Sequence, residues 1–273
     1  MLLALIWLRK EGKSYIIDVR EYLMEIQDSL KMAVVAIHRA GLILHELFYQ
    51  PCEVFYEDER DIKLKADRES ETEILDVLES TPYAILSEES GWIREYVIGE
   101  PYWVVDPLDG SLNFSRKIPL CSISIALMKE ENFLLGVVYD FMRQELFSGT
   151  SETGVFLNDS PIHVAETKYI KEGIVGTGLP VLRPYTEAEF QQYINELRKF
   201  RRIRFIGSSA LSLAYVACGR IDAFVQDEIM LWDIAGGSAL VQFAGGIVNI
   251  KDVEGIPFTK RIRSACRKEL LLP

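Results

Sequence analysis

Between residues 17 and 48 apolar side chains return every three or four positions, at Val19, Leu23, Ile26, Leu30, Val34, Ile37, Leu44 and Leu47. That spacing predicts one long amphipathic helix from about Ile17 to Phe48, or two helices broken near Gly41. Ile62 and Leu64 then alternate with lysines, the period of a short edge strand. Asp67 ends that strand and is placed to cap a helix over Glu69 to Leu78, whose acidic first turn suits the helix dipole. The runs YAILS and YWVV predict two buried strands, the first leading into a Ser-Glu-Glu-Ser turn and the second stopped by Pro107. SISIALMK and FLLGVVYDFMRQELFSGT predict three more strands, with hairpins around 130–132 and 140–144, and GVFLNDSPIHVA adds a hairpin at Asn158 and Asp159.

Past residue 165 the pattern changes. A strand in EGIVGTGL precedes a polar helix from Thr186 to Phe200. RRIRFIGSSALSLAYVACGRIDAFVQ follows as strand, glycine-serine turn, apolar helix, a stop at Gly219, and strand; WDIAGGSALVQFAGGIVNI follows as loop, helix, Gly-Gly stop and strand. Hairpins first and helix-separated strands later favour an α+β protein of layered sheets and helices. We divide it into an N-terminal half, 1–165, and a C-terminal half, 166–273, closing on each other as one structural unit.

Composition narrows the function. With 41 acidic against 30 basic residues the net charge is −11, which argues against nucleic acid or an anionic membrane as a partner. The four cysteines form no CxxC pair and are expected to stay reduced, and only three histidines are present, without an HExxH pattern. A histidine zinc site or a Ser-His-Asp triad is therefore disfavoured. The apolar start MLLALIWLRK lacks the basic flank and cleavage site of a secretion signal, so a cytoplasmic location is expected.

Most of the acids must be solvated, but five stand beside apolar strands and glycine turns: Asp67, Glu88, Asp106, Asp109 and Asp233. Carboxylates converging in a partly buried pocket need a counter-charge, and hard divalent cations such as magnesium suit their oxygens. In WVVDPLDGSLNF, Asp106, the Leu108 carbonyl and Asp109 can bend toward one point, while Gly110 and Ser111 offer backbone N–H groups to an anion. Alone, DPLDG is also the sequence of an ordinary type I turn.

Three ordered motifs alter that balance. WVVDPLDGSLNF resembles the DP-[IL]-D-G-[ST] signature of the inositol monophosphatase family, SEESG its upstream Glu-Glu element, and WDIAGGSAL its downstream Trp-Asp element. GSSALSLAYVACGRIDAF is similar to the family's substrate-facing turn and helix. The resemblance implies a five-layered αβαβα sandwich, commonly dimeric, and a lithium-sensitive, Mg2+-dependent phosphatase using two or three ions. It implies one metal on Glu88, Asp106 and the Leu108 carbonyl and a second on Asp106, Asp109 and Asp233. Ser111 would orient the attacking water with help from Asp67. Asp109, Gly110, Ser111, Gly207, Ser208, Ser209 and Gln226 would face the substrate. Arg204, with Arg201 and Arg202 ahead of Gly207, is either a contact for a second phosphate or a solvated cation on an edge strand. The short DERDIKLKAD loop looks like archaeal-type members acting on fructose 1,6-bisphosphate and inositol 1-phosphate, so a small phosphorylated polyol or sugar is the expected substrate. Two alternatives are a 3′-phosphoadenosine 5′-phosphate phosphatase of the same fold and a non-catalytic regulatory member binding a partner.

Overall fold

The computed structural model describes residues 5–10, 13–57, 62–179 and 186–272. A hairpin of β1 (Leu5–Lys10) and β2 (Lys13–Asp18) leads into α1 (Val19–Phe48). Strands β3 (Val54–Glu57) and β4 (Ile62–Leu64) pair antiparallel, and α2 (Lys65–Leu78) follows at once. The next strands are β5 (Ala84–Ser87), β6 (Gly91–Ile93), β7 (Pro101–Asp109), β8 (Ser122–Lys129), β9 (Asn132–Asp140), β10 (Glu145–Thr150), β11 (Gly154–Leu157) and β12 (Ser160–Ile162). They form one sheet in the order β12-β11-β10-β9-β8-β7-β5-β6, with the short helix α3 (Ser111–Ser115) between β7 and β8. The remaining strands are β13 (Ile174–Thr177), β14 (Arg202–Arg204), β15 (Ala223–Met230), β16 (Ile247–Asp252) and β17 (Thr259–Ala265). These make a second sheet, β14-β13-β15-β17-β16, and the helices among them are α4 (Glu187–Leu197), α5 (Ser209–Ala217) and α6 (Leu231–Phe243).

Alternation along the strands sorts the side chains into layers. On β7, Trp103 and Val105 join Ile37, Leu44, Ile74 and Leu78 of α1 and α2, while Tyr102 and Val104 face Leu231 and Ala235 of α6. The apolar helices α5 and α6 lie between the sheets, packing on Val138 and Phe147 of the first and on Phe224 and Ile262 of the second. Tyr193 and Leu197 of α4 cover Val175, Ala223 and Val225 on the far face. The resulting order of layers is αβαβα, the sandwich expected from the sequence.

Several boundaries differ from the sequence reading for identifiable reasons. Helix α1 runs unbroken past Gly41, where a Cβ would lie 2.5 Å from the Tyr139 ring; the glycine serves close packing and not a break. Helix α2 starts four residues earlier than expected, and Asp67 is its third residue and not its N-cap, accepting the Leu64 N–H at 2.5 Å. Strand β7 continues through Pro107, because a bulge absorbs the missing donor. Trp232 and Asp233, read as loop, belong to the first turn of α6. Strand β17 carries three cations in seven residues, a composition that hid its alternation.

Candidate active site

Strands β5 and β7 run parallel with Ser87 opposite Val105, and the Glu88 N–H extends the ladder to the Val105 carbonyl at 3.2 Å. By strand periodicity Glu88 follows Ala84 and Leu86, and Asp106 follows Tyr102 and Val104, onto the face turned to α6. Helix α6 begins there, presenting Asp233, whose carboxylate accepts the Met230 N–H at 3.2 Å. Ligand oxygens of Glu88, Asp106 and Asp233 consequently lie within 4.8 Å of one another.

The electrostatics of this trio are unfavourable as they stand. Asp106 is fully buried; its Oδ1 accepts the Leu108 N–H at 3.0 Å, and its Oδ2 is buried with no hydrogen-bond partner. Burial, then the charges of Glu88, Asp109 and Asp233, hold the Asp106 carboxyl well above the usual carboxylate range. Burial, then Asp233, Asp67 and Glu89, does the same to Glu88. An orphaned buried oxygen at the centre of three converging carboxylates is what a hard divalent cation requires. The donor set fits magnesium.

The bulge in β7 decides what Asp109 does. Asp106 pairs with Ser124 and Asp109 with Ser122, so three positions on β7 oppose two on β8. The extra residue turns Asp109 to the same face as Asp106, where regular alternation would point it away. Asp109 does not join the converging trio directly. It caps α5, accepting Ala210 N–H at 2.8 Å and the Ser208 hydroxyl on Oδ2, and Ser209 N–H at 3.1 Å on Oδ1. Ser122 donates to it as well, at 3.3 Å. These contacts pull against burial, which raises its pKa.

On the other side of the sheet edge, the Ser111 hydroxyl reaches two acceptors, Asp67 Oδ1 at 2.8 Å and the Leu108 carbonyl at 2.9 Å. Burial pushes Asp67 up to about 7, against the lowering effect of the Leu64 N–H and the Ser111 hydroxyl. Gly110 takes φ 94°, and a Cβ there would sit 3.0 Å from the Leu120 carbonyl and 3.1 Å from that of Gly207. Asn113 spans the same gap, donating to the carbonyls of Leu120 and Ile206 at 2.7 and 2.9 Å. Gln226 lies at a second bulge, in β15, and Arg204 is exposed on the edge strand β14, its guanidinium bonded to the neighbouring Ile203 carbonyl.

Three residues the sequence reading passed over hold this arrangement. Glu71 is buried on α2 and accepts from Ser87 Oγ at 2.5 Å, Ser90 Oγ at 2.7 Å and Ser90 N–H at 3.1 Å, clamping the turn that carries Glu88. Ser70 donates to the Pro107 carbonyl at 2.6 Å, and Lys63 pairs with Glu89 at 2.9 Å. The signal for Ser70 and Glu71 was the spacing Asp67, Ser70, Glu71, Ile74, one helical face that turns out to be buried. Glu71→Ala strands two hydroxyls and an amide, so we expect a loss of about 1–3 kcal/mol in urea unfolding. Affinity for a divalent cation should also fall by about 10-fold, as when a partner behind a metal ligand is removed, and titration calorimetry checks this.

Residues 25–264 match the inositol monophosphatase family. The chain belongs to that family. It is 33% identical over 233 residues to the inositol-1-monophosphatase of Synechocystis sp., covering 84% of this chain and 80% of that protein. It is 34% identical over 228 residues to the Nus factor SuhB of Escherichia coli K12, covering 81% and 84%. Among solved structures, the inositol monophosphatase of Anabaena (Nostoc) sp. PCC 7120 superposes with a TM-score of 0.76 at 30% identity over 89% of this chain and 92% of that one. This inositol monophosphatase family member is accordingly a phosphoric monoester hydrolase with an acidic cluster able to hold metal. Its four cysteines are free, and among the described residues no helix is long and apolar enough to cross a membrane.

Proposed function

We propose that the chain is a Mg2+-dependent phosphomonoesterase that hydrolyses inositol 1-phosphate, fructose 1,6-bisphosphate or both. The observation that carries this reading is the buried, unpartnered Oδ2 of Asp106 between Glu88 and Asp233. Glu88, Asp106 and the Leu108 carbonyl would hold one ion, and Asp106, Asp233 and the singly bonded Oδ1 of Asp109 a second. When bound, the ions supply charge neutralisation for the carboxylates and Lewis-acid stabilisation of the phosphoryl oxygens.

The remaining work falls to side chains of this chain. Ser111 has one hydroxyl proton and two acceptors in reach, so donating that hydrogen bond to Asp67 leaves its oxygen lone pairs free to accept from the attacking water. Asp67, near 7, is suited to receive a proton at neutral pH. Gly110 opens α3, whose first N–H groups have no intrahelical acceptor and suit phosphate oxygens. Ser208, Ser209 and Gln226 flank the organic half of the substrate, with Arg204 toward a distal phosphate. The same reading makes the enzyme a lithium-sensitive cytoplasmic homodimer.

Phosphate release from a panel of inositol 1-phosphate, fructose 1,6-bisphosphate and 3′-phosphoadenosine 5′-phosphate, with and without Mg2+ and lithium, tests the proposal. We expect Mg2+-dependent turnover of one of the first two and inhibition by millimolar lithium. Turnover of the nucleotide alone would overturn the substrate assignment, and no turnover of any would favour the regulatory alternative, which the Nus factor name of several relatives supports.

A further inference from the structure

The bulge in β15 stands out because it lies between Gln226 and Asp233, and because its far side is polar and buried. Gln226 pairs with Ile262 and Ile229 with Lys260, so one extra residue is inserted, and Glu228 within it takes φ 54°. Strand alternation sends Gln226 to the face of Phe224 and Ile262, toward α5, and Asp227 to the opposite face with Val225 and Arg263. On that back face Asp227 Oδ1 lies 2.7 Å from Arg263 Nη1 and 3.0 Å from Arg261 Nε. The Arg263 and Asp227 side chains are only 9% and 14% exposed. The aligned hydrogen bonds of Arg263 Nη1 go to the carbonyls of Ile262 at 3.0 Å and Gln226 at 3.4 Å, so Asp227 anchors the guanidinium by charge while the guanidinium holds the backbone.

Next to this pair, the Tyr193 hydroxyl contacts Thr177 Oγ1 at 2.6 Å and donates toward the carbonyls of Gly178 and Val225, both at 3.1 Å. Thr177 pairs with Val225, which brings Gly178 beside Gln226. A Cβ on Gly178 would sit 2.4 Å from Gln226 Oε1. The Gln226 side chain thus rests against bare backbone in front, and its own main chain is tied from behind.

Stability alone does not account for the charge pair. Nε of Arg263 is buried with no hydrogen-bond partner, and a buried ion pair is often no more stable than apolar residues of equal volume. We propose that Arg263 and Asp227 are positioning residues: they lock the β15 bulge from the back of the sheet so that the Gln226 amide meets the hydroxyls of a phosphorylated polyol. The proposal rests on the substrate reading above. It assigns selectivity for the organic half of the substrate to a pair that never touches it.

The test uses the full-length chain with Mg2+, and compares inositol 1-phosphate with p-nitrophenyl phosphate, which has no polyol hydroxyl. Arg263→Met is expected to raise KM for inositol 1-phosphate about 10-fold with kcat within about twofold, the pattern of lost uniform binding. Kinetics on p-nitrophenyl phosphate should not move. Gln226→Ala should raise KM for inositol 1-phosphate by a similar factor, and the double variant should be no worse than either single one. Arg263→Lys keeps a cation on Asp227, guards against misfolding, and should recover KM to within about threefold of the parent. An unchanged KM in Arg263→Met, or equal losses on both substrates, overturns the proposal.

A second readout is independent of turnover. The side-chain amide NMR signal of Gln226, assigned by its loss in Gln226→Ala, should shift and broaden in Arg263→Met. An unchanged signal overturns the positioning role. Absence of turnover in the parent chain overturns only the substrate reading, and the NMR result still decides the other.

Discussion

Asp106→Asn is expected to lower kcat about 1,000-fold, the equivalent of about 4 kcal/mol of transition-state stabilisation. Its fold should survive. The asparagine oxygen can keep the bond that Asp106 Oδ1 accepts from the Leu108 N–H, and the substitution removes one of three ionisable carboxyl groups held within 4.8 Å. Without metal the variant should therefore melt at or above the parent's temperature while losing most of its affinity for Mg2+. Activity assays paired with thermal melts check both halves. A variant that kept its kcat, or that lost activity by unfolding, would remove Asp106 from the centre of the metal site.

The second large effect is a pH-dependent stabilisation by Mg2+. Burial and mutual repulsion hold Glu88 and Asp106 well above the usual carboxylate range and Asp67 near 7. Unfolded carboxylates titrate near 4, so between about pH 4 and the folded values the native chain binds more protons than the unfolded one. Stability from these groups is fully present below about pH 4. It falls as pH rises through the folded values, by up to about 1.4 kcal/mol per pH unit for each proton so retained. Bound in the proposed site, Mg2+ would supply the missing positive charge and compete with those protons. The rise in melting temperature that Mg2+ gives over EDTA should thus be small at pH 5 and largest near pH 8. Scanning fluorimetry across that range checks it, and a flat Mg2+ effect would mean that the cluster is not the binding site.

Much of the fold was legible because local rules and burial agreed. The helix over Val19–Phe48, the strands Ala84–Ser87, Ser122–Lys129 and Asn132–Asp140, and the turn residues Asn158 and Gly219 follow from periodicity and φ preference. The capping box at Thr186 and Glu189 starts α4 where a polar helix was expected. Elements were misread where one residue serves two scales. Pro107 looked like the end of a strand, yet pairing with β8 carries the chain over the bulge. Asp67 looked like a helix cap, yet it is the third residue of the first turn and reaches across to Ser111.

The candidate site shows the same division. Asp106, Glu88 and Asp233 were legible because each carboxylate stands at an apolar strand end or helix start beside a motif with recognisable spacing. Glu71 was not, since an acid on an acidic helix resembles any solvated residue until α2 buries that face. The commitment of Asp109 to the N-terminus of α5 was also hidden, because its partners lie about a hundred residues away.

The sequence by itself determined the alternation of helices and strands, the chemistry of the acidic motifs and the class of reaction they serve, since these depend on spacing along the chain. Tertiary structure decided which carboxylates converge, which acid also caps a helix, and how Gln226 is held. Those outcomes depend on parallel register between β5 and β7 and on two inserted residues, in β7 and β15. One residue of register moves a side chain to the opposite face of a sheet, and only the packed partners on both faces select which way it turns.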